Sequence, residues 1–259
     1  MAARVITIGN QKGGVGKTTT AINLAACVAA LEKRVLLVDI DPQANATSGV
    51  GIEKREGGSL YRPLLGDGSL QEKIVSTTYS NLDIIPSETD LCGAELEIAR
   101  LDNHLARLAN LIKPISETNQ YDVILIDCPP SFGLITLNAF ASSDGILVPL
   151  QCEYYALEGI STLTKVVDDL RDAGFNPRIH IFGILMTMFD SRTNLSHSVV
   201  EDVRNFFGSI VFETVIPRTT RLAEAPSFGK PILYYDRYNP ASAAYQVLAQ
   251  EFIERLQRI

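Results

Sequence analysis

The sequence predicts an α/β fold: a doubly wound, mostly parallel sheet with helices on both faces. Three observations carry that prediction. Apolar runs rich in Val and Ile alternate with helical patterns from end to end. The runs are almost continuous in apolar residues, as strands are when helices cover both faces of a parallel sheet. The first run passes through a glycine-rich turn directly into a helix, the kind of junction at which such sheets hold ligands.

Val5–Ile8 is the first expected strand, and the helix after the turn runs through Leu31. Val35–Val38 is the next strand, and Leu82–Ile85, Val123–Ile126, Ile146–Val148, Ile181–Leu185 and Phe212–Ile216 repeat the type. Helices are expected at about 160–173, about 196–207 and about 240–258. The last opens on Asn239 as N-cap with Pro240 in the first turn, where a missing N–H does no harm. The stretch 50–80, with Gly57, Gly58, Gly66 and Gly68, is the least regular and reads as short helices and turns inserted between strands. No Pro/Ser linker, repeat or low-complexity segment interrupts the chain, so a single domain over 1–259 is expected.

Composition narrows the class. A chain of 259 residues, 46% of them hydrophobic, is long enough to fold without staples. A chain of that size buries about three quarters of its unfolded surface. Mean hydropathy is mildly apolar at +0.11. The longest apolar stretch, Ala21–Leu31, still falls short of the ~20 residues of a membrane span. The opening MAARVITIGN lacks the apolar core and cleavage site of a signal peptide. The 23 basic against 30 acidic residues give a net charge of −7. That balance argues against a nucleic-acid binder whose whole surface is basic, and leaves room for a local basic patch. Cys27, Cys92, Cys128 and Cys152 lie far apart without C-x-x-C spacing, which suits reduced thiols in a cytoplasmic protein. His104, His180 and His197 form no zinc-binding pattern.

The turn after the first strand reads Gln11-Lys12-Gly13-Gly14-Val15-Gly16-Lys17-Thr18-Thr19-Thr20. Three glycines let backbone N–H groups fold around phosphate oxygens, and the following helix presents its positive end to them. Lys17 is placed to reach the β- and γ-phosphates, and the Thr18 hydroxyl to ligate Mg²⁺. Gln11 stands where the usual phosphate-loop pattern begins with glycine, and Lys12 is an additional cation. Asp39 ends the second strand with Asp41 just beyond it, and Asp127 follows the strand Val123–Ile126. Carboxylates at the carboxyl ends of strands beside such a loop can hold Mg²⁺ or its waters, or orient an attacking water.

Lys12–Thr19 matches the deviant Walker A motif. With VDIDPQANATSG (Val38–Gly49), DCPPSFGLITLNA (Asp127–Ala139), QCEYYALEG (Gln151–Gly159) and VIPRTTRLAEAPSFGKPI (Val215–Ile232), the chain resembles the ParA/Soj chromosome- or plasmid-partitioning ATPases. The resemblance runs from Val5 to the last helix. One difference is Ala44, where many relatives carry glycine; the sequence attaches no functional consequence to it.

The resemblance implies a cytoplasmic, nucleoid-associated ATPase that works with ATP and Mg²⁺. Two subunits would sandwich two ATP molecules, with Lys12 of each reaching the other's phosphates. Lys12, Gly13, Gly14, Val15, Gly16, Lys17, Thr18 and Thr19 would hold the nucleotide, and Pro217 and Thr219 would pack on adenine. Asp41 would orient the water, Thr18, Asp39 and Asp127 would organise magnesium, and Gly14 would sit where the subunits approach. The implied partners are a second copy of the chain, nonspecific double-stranded DNA and a ParB-type stimulatory protein. Arg192 and Arg221 match positions that contact DNA in relatives, and Arg218 joins them by proximity.

Three other readings share the loop. A MinD-like membrane-cycling ATPase ends in a basic amphipathic helix, whereas the tail Gln250–Ile259 balances two acids against two arginines, so no membrane binding is expected. A nitrogenase-reductase type needs two cysteines per subunit for an iron–sulfur cluster, and Cys128 and Cys152 lie outside that family's sequence context. A small-molecule kinase needs a second substrate pocket that the sequence does not reveal. The first strand begins so near Met1 that no N-terminal helix-turn-helix domain is expected, and with it no operator binding.

Overall fold

In a computed structural model the chain is described over residues 2–153 and 156–258, without the side chains of 156–158. Tyr154 and Tyr155, part of the QCEYYALEG resemblance, lie outside the described residues. The strands are β1 (Arg4–Ile8), β2 (Val35–Asp39), β3 (Val75–Ser76), β4 (Leu82–Ile85), β5 (Val123–Asp127), β6 (Gly145–Gln151), β7 (Ile181–Phe189) and β8 (Val211–Pro217). They form one sheet in the order β3-β4-β2-β5-β1-β6-β7-β8. Only β3, at the edge, runs antiparallel to its neighbour.

The helices are α1 (Lys17–Ala30), α2 (Asn45–Gly49), α3 (Tyr61–Leu65), α4 (Leu91–Ile98), α5 (Arg107–Glu117) and α6 (Leu134–Ser142). Beyond them come α7 (Ala156–Asp172), α8 (Asn194–Phe207), α9 (Thr220–Glu224), α10 (Ile232–Tyr235) and α11 (Pro240–Leu256).

The strands are apolar throughout because both faces are covered, and alternate residues serve different cores. Ile6, Ile8, Leu37 and Leu125 pack with α1 and α11 on one face. Val5, Leu36, Val38, Ile124 and Ile126 pack with α3 to α6 on the other. Leu150, Ile184 and Met186 join α7 and α8 in a third cluster.

The closing helix has the expected start: the Asn239 side chain accepts the Ala241 N–H at 3.0 Å, ahead of Pro240. Its Tyr245, Leu248 and Phe252 are buried on the sheet. Two of its charged residues hold the last strand and the turn before it. Glu251 accepts the Glu213 N–H at 2.9 Å and the Thr214 N–H at 3.1 Å. Arg255 donates to the Ile210 and Val211 carbonyls and lies 4.0 Å over the Phe212 ring. The helix thereby covers the β8 edge, which an open sheet must protect. Among the described residues no helix is long and apolar enough to cross a membrane.

Residues 50–80 hold α3 and a 3-10 turn at Gln71–Lys73, as the irregular composition suggested, and also the short edge strand β3, which it did not. The strands β6, β7 and β8 run further at their carboxyl ends than the apolar runs alone, because Gln151, Thr187 and Pro217 continue the pairing past the last aliphatic residue. Arg221 is on α9.

Gly183 in β7 leaves room for the neighbouring strand: a Cβ there would overlap the Phe212 ring. Gly183→Ala is expected to destabilise the chain by about 1–3 kcal/mol through overpacking. A lowered urea midpoint with an unchanged slope is the measurement that checks it.

Candidate functional site

Three neighbouring strands end in register at the carboxyl edge of the sheet: Ile8 aligns with Asp127, and Asp127 with Asp39. The phosphate loop springs from the first of these strands, so topology alone brings it beside both aspartates. Gly9 is required at the take-off, since a Cβ there would come within 2.7 Å of the Phe140 ring. The Asn10 side chain then ties the loop down, donating to the Pro149 carbonyl at 2.8 Å and accepting the Lys12 N–H at 3.0 Å. Thr187, from β7, donates its hydroxyl to the Val15 carbonyl at 2.8 Å. Gly14 and Gly16 adopt left-handed backbone with φ of 75° and 89°, which an L side chain would strain. Gly16 is the N-cap of α1, so the loop delivers its N–H groups and the helix dipole to one place.

The two lysines sit in different surroundings. Lys17 is buried and donates its ammonium to the Lys12 carbonyl at 2.9 Å, across its own loop. Burial lowers its pKa, opposed chiefly by the Asp127 charge. Lys12 is exposed and its ammonium pairs outside the loop, 3.0 Å from Glu153. The Gln151 side-chain amide also donates to Glu153, at 2.6 Å. An exposed pair of this kind holds by only about 0.2–1 kcal/mol.

The three aspartates divide in the same way. Asp127 is completely buried, and neither of its carboxylate oxygens has a hydrogen-bond partner. Burial first, and the Asp39 charge second, push its pKa well above the ordinary carboxylate range, while Thr18 and Lys17 favour its charged form. Two orphaned hard oxygens beside a threonine hydroxyl fit Mg²⁺. Asp39 is equally buried but engaged on both oxygens, accepting the Asp41 N–H at 3.1 Å and both the Thr47 N–H and hydroxyl at 2.8 and 2.7 Å. Burial raises its pKa to about 6 against these donors. These bonds hold the turn that carries Asp41, and the same carboxylate stands beside Asp127, with which the sequence groups it as a magnesium residue. Asp41 is nearly buried, with one carboxylate oxygen on the Gln43 N–H at 2.9 Å.

Pro217 and Thr219 lie at the same edge of the sheet, at the end of β8, three strands from the loop. Thr219 caps α9, accepting the Arg221 N–H on its side chain. The three arginines fall into two neighbourhoods. Arg192 makes a two-pronged pair with Asp190, at 2.9 and 2.7 Å. The Arg218 charge acts on the same carboxylate, and Arg192 above all holds Asp190 below the usual carboxylate range. Arg221 pairs with Glu224 at 2.8 Å and lies 3.6 Å from Asp236.

Sequence reasoning passed over Asn10, Thr47, Ser87, Glu153 and Thr187. The usable signal was position: Ser87 and Thr187 are polar residues at carboxyl ends of strands, where a parallel sheet holds its ligands.

A family model described as an AAA domain matches residues 3–181. The chain is 52% identical to a chromosome partitioning protein ParA of Myxococcus xanthus over 253 residues, 97% of this chain and 88% of that protein. It is 49% identical to the sporulation initiation inhibitor protein Soj of Bacillus subtilis over 249 residues, 96% of this chain and 97% of that one. Among solved structures, a cobyrinic acid a,c-diamide synthase of Mycobacterium smegmatis with a bound ATP analogue and magnesium superposes with a TM-score of 0.85. That match has 31% sequence identity and covers 98% of this chain and 96% of that one.

The buried aspartates have a pH signature. Both pKa values are raised on folding, so the unfolded chain gives up these protons first as pH rises past about 4. The stability they contribute below that pH is lost as pH climbs through the raised values, about 6 for Asp39 and higher than ordinary for Asp127. Without nucleotide or magnesium, Asp127→Asn is expected to melt at a higher temperature than wild type at pH 8. The gap should close toward pH 4. Calorimetry in EDTA across that range checks it, and a gap independent of pH would contradict the assignment.

Proposed function

We propose that this chain, which belongs to the ParA/Soj family of chromosome-partitioning ATPases, is an ATP-driven switch that closes as a dimer over two ATP molecules. The closed dimer holds double-stranded DNA without sequence preference, and ATP hydrolysis stimulated by a ParB-type protein releases it. On this reading the chain is cytoplasmic and associated with the nucleoid.

The observation that carries the proposal is the separation of the loop lysines. Lys17 serves its own loop, while Lys12 carries its ammonium outside it. A cation so placed suits phosphates presented by a second subunit. Gly14 leaves open space where a Cβ would stand, which suits the approach of that subunit.

Backbone N–H groups of residues 13–19 and the Lys17 ammonium would bind the β- and γ-phosphates. Magnesium, held by the Thr18 hydroxyl and Asp127, would supply charge neutralisation at those oxygens. Asp41 would orient the attacking water, and Asp39 would act through the Asp41 turn. Lys12, arriving only on dimerisation, would add a cation to the transferring phosphoryl and so couple assembly to turnover. Arginine fingers delivered in trans gain about 10³–10⁵ in rate by the same logic. Pro217 and Thr219 are the proposed adenine contacts.

DNA binding has to overcome a net charge of −7. Arg192, Arg218 and Arg221 offer each monomer two or three phosphate contacts, and two of them are already paired with carboxylates. DNA phosphates would have to take the place of Asp190 and Glu224. An ATP dimer that aligns both patches doubles the number of contacts, and log K falls with log salt by about 0.9 per contact.

Two outcomes follow. Lys17→Ala should lose nucleotide affinity, by about tenfold or more for one charge-assisted contact of roughly 1.5–3 kcal/mol. Lys12→Ala should keep ADP affinity but lose the ATP-dependent dimer. Isothermal titration and light scattering decide, and identical behaviour of the two variants sinks the division of labour. DNA binding should require ATP, ignore sequence and fall steeply with salt. Arg192→Glu combined with Arg221→Glu should abolish it, and Asp190→Asn should strengthen it by releasing Arg192. Mobility shifts on two unrelated duplexes at several salt concentrations measure this; undiminished binding by the double variant removes the patch from the mechanism.

A further inference from the structure

The Asp41 peptide is gripped on both sides by groups from elsewhere in the fold. Its N–H donates to Asp39 Oδ1 at 3.1 Å. Its carbonyl accepts the Ser87 hydroxyl at 2.6 Å and the Ala44 N–H at 2.8 Å. Ser87 is in turn fixed by Thr47, whose Oγ1 accepts the Ser87 N–H at 2.9 Å. Thr47 closes the ring by donating its N–H and hydroxyl to Asp39 Oδ2. The ring draws on the end of β2, on α2 and on the segment after β4, and all of its side chains are buried.

We infer that Thr47 and Ser87 are positioning residues for ATP hydrolysis: through this ring they fix the peptide of Asp41 and so the direction of its carboxylate. The inference rests on the proposed role of Asp41 in orienting water. The chemistry at position 47 is specific. Its hydroxyl must donate to a carboxylate and accept from an N–H at the same time, which serine can also do and valine cannot. At position 87 a hydroxyl donor is required, and alanine removes it while leaving the Ala44 N–H as the only remaining holder of that carbonyl. Small misplacements of a water-orienting group are costly, since about 1 Å can lower turnover by about 10²-fold.

The test is steady-state ATP hydrolysis by the full chain with Mg-ATP, with nucleotide affinity measured alongside. Thr47→Val and Ser87→Ala are expected to lower kcat by about tenfold or more with KM and Kd for ATP within about twofold of wild type, the pattern of a group that matters only in the transition state. Thr47→Ser should restore kcat to within about threefold. Because both residues act through Asp41, Thr47→Val should produce no further fall in an Asp41→Ala background. Should Thr47→Val fail to fold, Ser87→Ala, a single-hydroxyl deletion, carries the comparison.

Wild-type kcat in Thr47→Val and Ser87→Ala, with Asp41→Ala inactive, would overturn the inference and leave the role of Asp41 standing. Wild-type turnover by Asp41→Ala would overturn the reading beneath it. Equal losses in affinity and kcat, or a further fall in the double variant, would reduce both residues to structural support.

Discussion

Everything at the carboxyl edge depends on one arrangement: two carboxylates buried in register on adjacent parallel strands. Asp39 and Asp127 are paired neighbours on β2 and β5, both without exposure to solvent. Burying one charge without compensation is costly, and burying two side by side is more so. The fold answers this differently at each position. Asp39 receives three well-formed hydrogen bonds from the chain, whereas Asp127 has none of that quality and only the nearby Thr18 hydroxyl and Lys17 charge favour its ionised form. On the proposed reading, a site carrying such an uncompensated carboxylate would be preorganised for a divalent ion and disfavoured without one.

The same logic separates the two lysines. Lys17 is held against its own backbone, where desolvation penalises its charge and phosphate would restore what water no longer provides. Lys12 retains its hydration and a weak exposed partner, so moving it costs little. On the proposed reading the buried cation would bind and the exposed one would travel. Arg192 and Arg221 repeat the second arrangement, each paired with a carboxylate; on the proposed reading an incoming phosphate would replace it.

How much of this was legible in the sequence follows from distance along the chain. The strand–loop–helix junction, the glycines and Lys17 are contiguous, and their chemistry can be read directly. The main sheet was legible because buried parallel strands are apolar without interruption; α4 to α6 were less so, and Pro114 interrupts the pattern of α5. The hydrogen bonding of Asp39 was not legible, because its partner Thr47 lies eight residues on and Ser87, held by Thr47, forty residues further. Nor was the partner of Lys12, which lies 141 residues away. A local motif announces which atoms meet the ligand. It does not announce what holds them.

Ala44 shows why the distant part matters. It sits in left-handed backbone at φ 53° and ψ 42°, where a residue with a Cβ costs roughly 1–2 kcal/mol and glycine is at ease. A methyl group is nevertheless accommodated, fully buried, because the turn is over-determined from outside. The Ala44 N–H bonds to the Asp41 carbonyl, which Ser87 also holds, and the Ala44 carbonyl accepts both the N–H and the hydroxyl of Ser48. Strain of this size persists only where several independent contacts each oppose its release. The backbone three residues after the candidate water-orienting residue is therefore set by the ring around it and not by its own conformational preference. An alanine where glycine would be locally favoured signals how firmly that ring holds.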